Sequence, residues 1–412
     1  MNIRKKSFTY ILVFLSFYIS LLLGFLFGED SAGGAITDYN VHVNVREFFL
    51  NNTLYGLRNY LDVTGIGGGH SPVFIIFLKY LLLPSELLGR FIFLNLCVLI
   101  PLIFCFTLKK KISVKFLPIL FLSNLFFLSP YFRSTAIWPG DENLAILFFI
   151  ISIYFYVSFL KIVEPNSKIR CMILNIVFLA LASYFRPIYA LFSLFFFYEI
   201  ILKNFKINHF IIYILISLIF SLPAFYYVFI LKITFFYNTV GSFNLVNSIS
   251  LTYSVLLFFL IPFIFIERSY WESFKISKIN LFFTIFFSMI VYKFFNYQMS
   301  TGGGVFFLIQ NLFFNGNIFF TLIFAISFYL VNHILEIKKV RNFILLLILL
   351  FFELDNYFYM ETFDPLFLIC FFLLFEVKIL FSFFDKNIVK KTTILFGYLS
   401  FFYLAKIIYL YL

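Results

Sequence analysis

Apolar runs that reach or approach the ~20 residues needed to cross a bilayer recur along this chain, with short Lys and Arg clusters between them. That alternation constrains the fold more than any single motif does. Of 412 residues, 63% are hydrophobic and only 12% are charged, whereas soluble domains carry roughly 25% charged residues. An all-α polytopic membrane protein is the expected class. The formal charge of +12 comes from basic residues grouped between spans, as orientation signals are, so no nucleic-acid partner is expected. Cys97, Cys105, Cys171 and Cys370 lie in apolar runs without metal-like spacing and read as small hydrophobes.

Arg4, Lys5 and Lys6 precede a first span at about 8–27, which places the N-terminus in the cytoplasm. That run is longer than a signal-peptide core and no clear cleavage site follows, so an uncleaved helix is expected. Lys109-Lys110-Lys111, the group Lys161, Lys168 and Arg170, and the group Lys338, Lys339 and Arg341 then fall inside. The alternation predicts about thirteen spans in one integral membrane domain, 1–412, with the C-terminus outside. Spans are expected at 116–130, 143–160, 171–183, 187–202, 342–353 and 365–382, among others. No internal repeat and no appended soluble domain is visible.

The first extracytoplasmic loop, 28–89, is expected to carry the chemistry. Polar groups are costly near lipid, and this stretch holds His42, His70, Asp30, Asp38, Arg46, Glu47, Arg58 and Asp62. Gly33-Gly34 and Gly67-Gly68-Gly69 offer hinges or close backbone approach. Asp38 and His42 are four apart and would share a face if the stretch is helical. Other segments bring Arg133, Trp138, Asp141, Glu142, Asn143, Arg186, Glu353, Asp355, Glu361 and Asp364 to the same outer surface. A carboxylate suits deprotonation of a hydroxyl, and an Arg fork suits a phosphate.

Each of these has a plainer reading. An acid in an outer loop is commonly just solvated. Arg133 and Glu142 read equally as an ion pair anchoring a span end, and Arg186-Pro187 as a turn with a snorkelling side chain. His209 and His333 read as interfacial. Asn51-Asn52-Thr53 matches a glycosylation sequon, a pattern common by chance. Gly302–Gly304 is not a phosphate loop, because no Lys-Ser/Thr follows it.

Several stretches together resemble a known family. They are Thr37-Asp38-Tyr39, His70-Ser71-Pro72-Val73-Phe74, Ser85-Glu86-Leu87-Leu88-Gly89-Arg90, the segment from Arg133 to Asn143, and Arg186-Pro187. Their order resembles the polytopic glycosyltransferases of the GT-C class that use lipid-phosphate sugars. That class includes the protein O-mannosyltransferases, the aminoarabinose transferases of lipid A and the rhizobial galacturonosyltransferases. The resemblance covers roughly residues 1–200, with the late acidic turn agreeing beyond it.

The resemblance implies a polyprenyl-phosphate sugar donor, an acceptor that is a lipid, glycan or protein, and inversion at the sugar carbon. It implies Asp38 as base, Arg133 and Arg186 as phosphate contacts, and His42, His70, Glu142 and Glu361 as supporting groups at the substrate. Asp38 is followed by Tyr39 where the family often has a second acid, which leaves a divalent metal open. The expected location is a bacterial inner membrane, embedded in membrane lipid, with the site on the periplasmic face. An O-antigen-type polymerase and a lipid-linked oligosaccharide flippase or transporter are the competing expectations. The early position of the long loop and the absence of repeated halves weigh against both.

Overall fold

The structure is a computed structural model. It describes residues 3–50, 71–83, 85–203, 205–226, 229, 244–267, 271, 277–298, 302–314, 316–353, 358–385 and 387–411. Among the described residues there is no β-strand, and the chain is helical nearly throughout. Two compact units are formed, one from 1–237 and 396–412 and the other from 238–395.

The first unit begins with α1 (Ile3–Leu26), followed by α2 (Ala35–Leu50), α3 (Pro72–Leu81) and α4 (Glu86–Lys111). The described part of the expected loop 28–89 is therefore helical, in α2 and α3. Ser71 and Ser85 cap α3 and α4 through their hydroxyls, which accept N–H donors two and three residues on. Next come α5 (Phe116–Ser123), a 3-10 turn (Asn124–Leu128) and α6 (Pro130–Ile137). The expected span 116–130 is thus bent, by 74°, at its far end. Proline disfavours helical backbone at the residue before it, so Ser129-Pro130 stops one helix and starts another. The Ser129 hydroxyl accepts the Phe132 N–H at 2.9 Å.

Two 21-residue helices, α7 (Asp141–Lys161) and α8 (Pro165–Phe185), pack against each other, and α7 also packs against α4. The expected span 171–183 is extended at its start. Helical backbone continues through Lys168 and Arg170, where the hydropathy signal stops. A 3-10 turn (Pro187–Leu191), α9 (Phe192–Phe197) and a π-turn (Tyr198–Leu202) lead to α10 (Ile207–Phe225). One end of this bundle is basic: Lys110 bonds the Ser158 hydroxyl and lies 4.4 Å from the Tyr154 ring, and Lys168 lies 4.7 Å from Phe159. The opposite helix ends carry Arg90, Asp141, Glu142 and Arg186. Acids in the first turn of α7 and Lys161 in its last complement the helix dipole.

The second unit holds α11 (Leu245–Ile266), α12 (Lys278–Phe294), α13 (Gly304–Phe313), α14 (Ile318–Ile334), α15 (Val340–Leu350), α16 (Leu366–Leu373), α17 (Lys378–Asp385) and the start of α18 (Ile388–Tyr411). The expected span 365–382 is broken here. The helical stretch ending at Leu373 and the one beginning at Lys378 meet at 81°. Arg341 closes the break by pairing with Glu376 and donating to the Leu374 carbonyl at 2.8 Å. Asn342 accepts the Glu376 N–H at 3.2 Å. Every residue of α16 is buried.

Seven helices among the described residues are long and apolar enough to cross a membrane, and the two bent pairs raise this to nine. Outside that count, the expected spans 187–202 and 342–353 fall on shorter apolar helical stretches, Pro187–Leu202 and α15, and α3 is an apolar helix within the expected loop. The Gly302–Gly304 run has a structural task. Gly302 sits at φ +83, the Gly303 N–H donates to the Phe358 carbonyl at 2.8 Å, and a Cβ on Gly302 would stand 2.2 Å from that oxygen. Gly302→Ala should therefore destabilise the protein by roughly 1–3 kcal/mol. A lowered thermal midpoint in detergent would register it, and an unchanged midpoint would remove the glycine requirement.

Candidate functional site

The turn after α1 is held by a buried ion pair. Gly28 takes a left-handed φ of +64, and the chain then places Glu29 beside Arg133 of α6. Arg133, only 4% exposed, donates from Nε to Glu29 Oε1 at 2.7 Å and from Nη2 to Oε2. Its remaining N–H groups reach the Ser20 hydroxyl at 3.3 Å, the Ser20 carbonyl at 3.1 Å and the Phe127 carbonyl at 3.5 Å. Tyr403 of α18 donates to Glu29 Oε1 at 2.9 Å. Burial alone would raise the Glu29 pKa, but the bonds and charge of Arg133, with Ser31 and Tyr403, outweigh it and hold the carboxyl below its usual range. The Arg133–Glu142 pair read from sequence is thus replaced by Arg133–Glu29.

Asp30 caps the helix that carries Asp38. Its carboxylate accepts N–H groups from Gly33, Gly34, Ala35 and Ile36 at 3.0–3.4 Å. The helical stretch around Asp38 and His42 forms as expected, yet the two side chains differ in surroundings. Asp38 is exposed, and His42 is 2% exposed with its ring 5.0 Å from Phe74 of α3. The buried stripe of α2 is Ala35, Tyr39, His42, Val45 and Phe49, and Thr37, Asp38, Asn40, Asn44 and Glu47 face outward.

Tyr39 joins α2 to α4 and to the end of α6. Its ring lies 5.7 Å from that of Trp138, at the end of α6, and its hydroxyl donates to Glu86 at 3.2 Å. Burial, reinforced by Glu86, pushes the phenol pKa well up, so Tyr39 remains a neutral donor. The Arg90 guanidinium stacks on Trp138 at 3.6 Å, with Phe25 at 5.4 Å and Tyr39 at 5.7 Å, and its Nε donates to the Ile137 carbonyl at 3.2 Å. The Trp138 indole N–H donates to the Glu29 carbonyl at 3.1 Å.

Three residues after Trp138 the chain starts α7. Asp141, 1% exposed, and Glu142 both pair with Arg186, at 3.4 Å for Asp141. Arg186 is the C-cap of α8 and keeps its side chain 23% exposed. Asn143 donates to the Phe132 carbonyl and to Thr135, locking α6 to α7. The Ser71 hydroxyl donates to the Tyr184 carbonyl, so the later part of the expected first loop is tied to the end of α8.

The structure therefore brings the helix of Asp38 and His42, together with Arg133, Glu142 and Arg186, to one end of the first unit. His70 lies outside the described residues, as do Arg58, Asp62, Gly67–Gly69, Asn51–Thr53 and Asp355. Glu361 belongs to a 3-10 turn (Met360–Thr362) of the second unit. In the sequence Glu29 is one acid among several in a loop and carries no distinguishing pattern. Glu199 had no signal either; it is 1% exposed in the π-turn and accepts the Tyr156 hydroxyl at 2.8 Å. A groove of about 310 Å³ lined by Thr284, Ser288, Met289, Tyr292 and Thr321 contains none of the candidate residues. Among the described residues no group of three or more His, Cys, Asp or Glu is placed to hold a metal ion.

Comparison with family models, with curated proteins and with solved structures gives no match for this chain.

Arg133→Ala should be strongly destabilising, by about 3–5 kcal/mol, because it strands Glu29 in a mostly buried site. The depressed Glu29 pKa gives the pH sign. Its stabilisation is complete above the ordinary carboxyl value of 4.5 and is lost as pH falls through the lower folded value. Thermal melts of wild type and Glu29→Gln should therefore converge in acid and separate near neutrality. Parallel curves across that range would show the pair to contribute nothing.

Proposed function

We propose that this chain is an inverting membrane glycosyltransferase that moves a sugar from a polyprenyl-phosphate donor to an acceptor at the outer membrane face. Asp38 is the base in this reading. The observation that carries it is the junction at Trp138. The Tyr39 contact places the helix of Asp38 beside the turn whose next acids, Asp141 and Glu142, hold Arg186. An exposed carboxylate, an acid pair and a partly exposed Arg are thereby gathered at the end of the bundle opposite its lysines.

The chemistry follows from those groups. The acceptor hydroxyl gives its proton to the Asp38 carboxylate as its oxygen attacks the anomeric carbon. The bond from that carbon to the phosphate oxygen breaks, and polyprenyl phosphate leaves with the electron pair. Arg186 is suited to the phosphate, since a guanidinium fork matches its oxygens. Asp141 and Glu142 hold the fork in place until the donor arrives. Arg133 is filled by Glu29, Ser20 and Phe127 and serves the scaffold in this scheme.

Orientation completes the proposal. The lysine end of the first unit faces the cytoplasm, the N-terminus is inside, and the site faces the periplasm of a bacterial inner membrane. The helices of adequate length, the bent pairs and the shorter apolar helices supply about thirteen membrane passes.

Purified protein in lipid, given a panel of labelled polyprenyl-phosphate sugars and a cell-envelope extract, tests the reading. Wild type should transfer label, and Asp38→Asn should abolish transfer while inserting normally. Full turnover by Asp38→Asn would remove Asp38 as base. Transfer from no donor would turn attention to diphosphate-linked substrates and a polymerase or flippase. Arg186→Lys should raise the donor KM by roughly tenfold, because an ammonium cannot bond a phosphate through two parallel donors.

A further inference from the structure

The most connected residues near Asp38 are ones that no proposed chemical step uses. The Arg90 guanidinium lies over the ring of Trp138 at 3.6 Å, and Trp138 bonds the Glu29 carbonyl and contacts Tyr39. Tyr39 is the chain neighbour of Asp38 and is 2% exposed. A helix whose buried stripe is narrow has its rotation set by the largest side chain in that stripe. In α2 that side chain at the Asp38 end is Tyr39. A turn of one residue about the helix axis, about 100°, would carry Asp38 from the outer face toward the core.

We infer that Arg90 and Trp138 are positioning residues. Through Tyr39 they fix the rotation of α2 and so the direction in which Asp38 points. The catalytic part of this rests on the transferase reading, whereas the mechanical part does not. Arg90 suits the task for a physical reason. Its planar guanidinium stacks on the indole while its Nε still reaches the Ile137 carbonyl at 3.2 Å, so one side chain ties α4 to the end of α6. Lysine keeps the charge and loses the plane. Glu86 adds a second hold on Tyr39 from the first turn of α4. Asp30, four N–H bonds deep at the start of α2, fixes where the helix begins but not which way it is rolled.

A spin label reads the rotation directly. Asn40 is exposed on α2, while Cys97, Cys105, Cys171 and Cys370 are all buried, so a label attached to Asn40→Cys in the full-length protein in lipid reports this helix selectively. Arg90→Lys and Trp138→Leu should each add a mobile component to the label spectrum. Trp138→Phe, which keeps a ring beneath Arg90, should stay near the parent. In the transfer assay, Arg90→Lys should lower kcat by roughly tenfold or more and change the donor KM by less than about twofold. A merely structural role would lower the amount of folded protein and leave kcat per folded molecule unchanged.

A label spectrum that Arg90→Lys leaves unchanged would overturn the inference. Should Trp138→Leu fail to fold, Arg90→Lys alone carries the test, since it preserves size and charge. Spectra that change in a protein whose parent transfers no sugar would uphold the positioning and sink the transferase reading. Unchanged spectra in an active enzyme would do the reverse.

Discussion

The Glu29–Arg133 pair is the contact on which the first unit depends. A guanidinium and a carboxylate this deeply buried are tolerable only if nearly every donor and acceptor is used. Here Ser20, Phe127 and Tyr403 complete the set, so the end of α1, the bent pair α5–α6 and the last helix are fixed together. Gly24 fits this arrangement, because a Cβ there would lie 2.2 Å from Glu29 Oε2. Everything proposed to be functional sits directly beyond this pair: Asp30 follows Glu29, and Trp138 follows α6.

The class of fold was legible because hydrocarbon imposes a simple rule. A backbone that cannot bond to water must be helical or closed into a barrel, and runs of this length and composition select the helix. What hydropathy could not supply were the bends. Ser129-Pro130 offered a local signal, yet the run 116–130 is apolar on both sides of it. The break between Leu373 and Lys378 had Glu376 as its only mark, and its cause, Arg341, is 35 residues away in sequence. Short helices such as α3 and α15 read as loop or span with equal ease, since length alone does not say what covers them.

For the candidate site, the sequence marked neighbourhoods better than partners. Arg133, Glu142 and Arg186 were each recognisable as costly groups near lipid. The pairing among them required knowing that Glu29 folds back over α6. Asp38 and His42 obey the four-residue spacing that was read for them, but a 40° offset between such positions is enough to leave one exposed and bury the other against Phe74. Arg90 was visible as the end of a motif, whereas the ring beneath it comes from a segment 48 residues later. Contacts between segments arise from packing, which periodicity does not encode.

The bond from Tyr403 to Glu29 joins residues 374 positions apart. During synthesis, Arg133 emerges about a hundred residues after Glu29, so those two can meet while most of the chain is still unmade. The tyrosine follows only after about 270 further residues. Until then the Glu29 carboxylate lacks one of its donors, and the surface that α18 will cover stays open to lipid or to a chaperone.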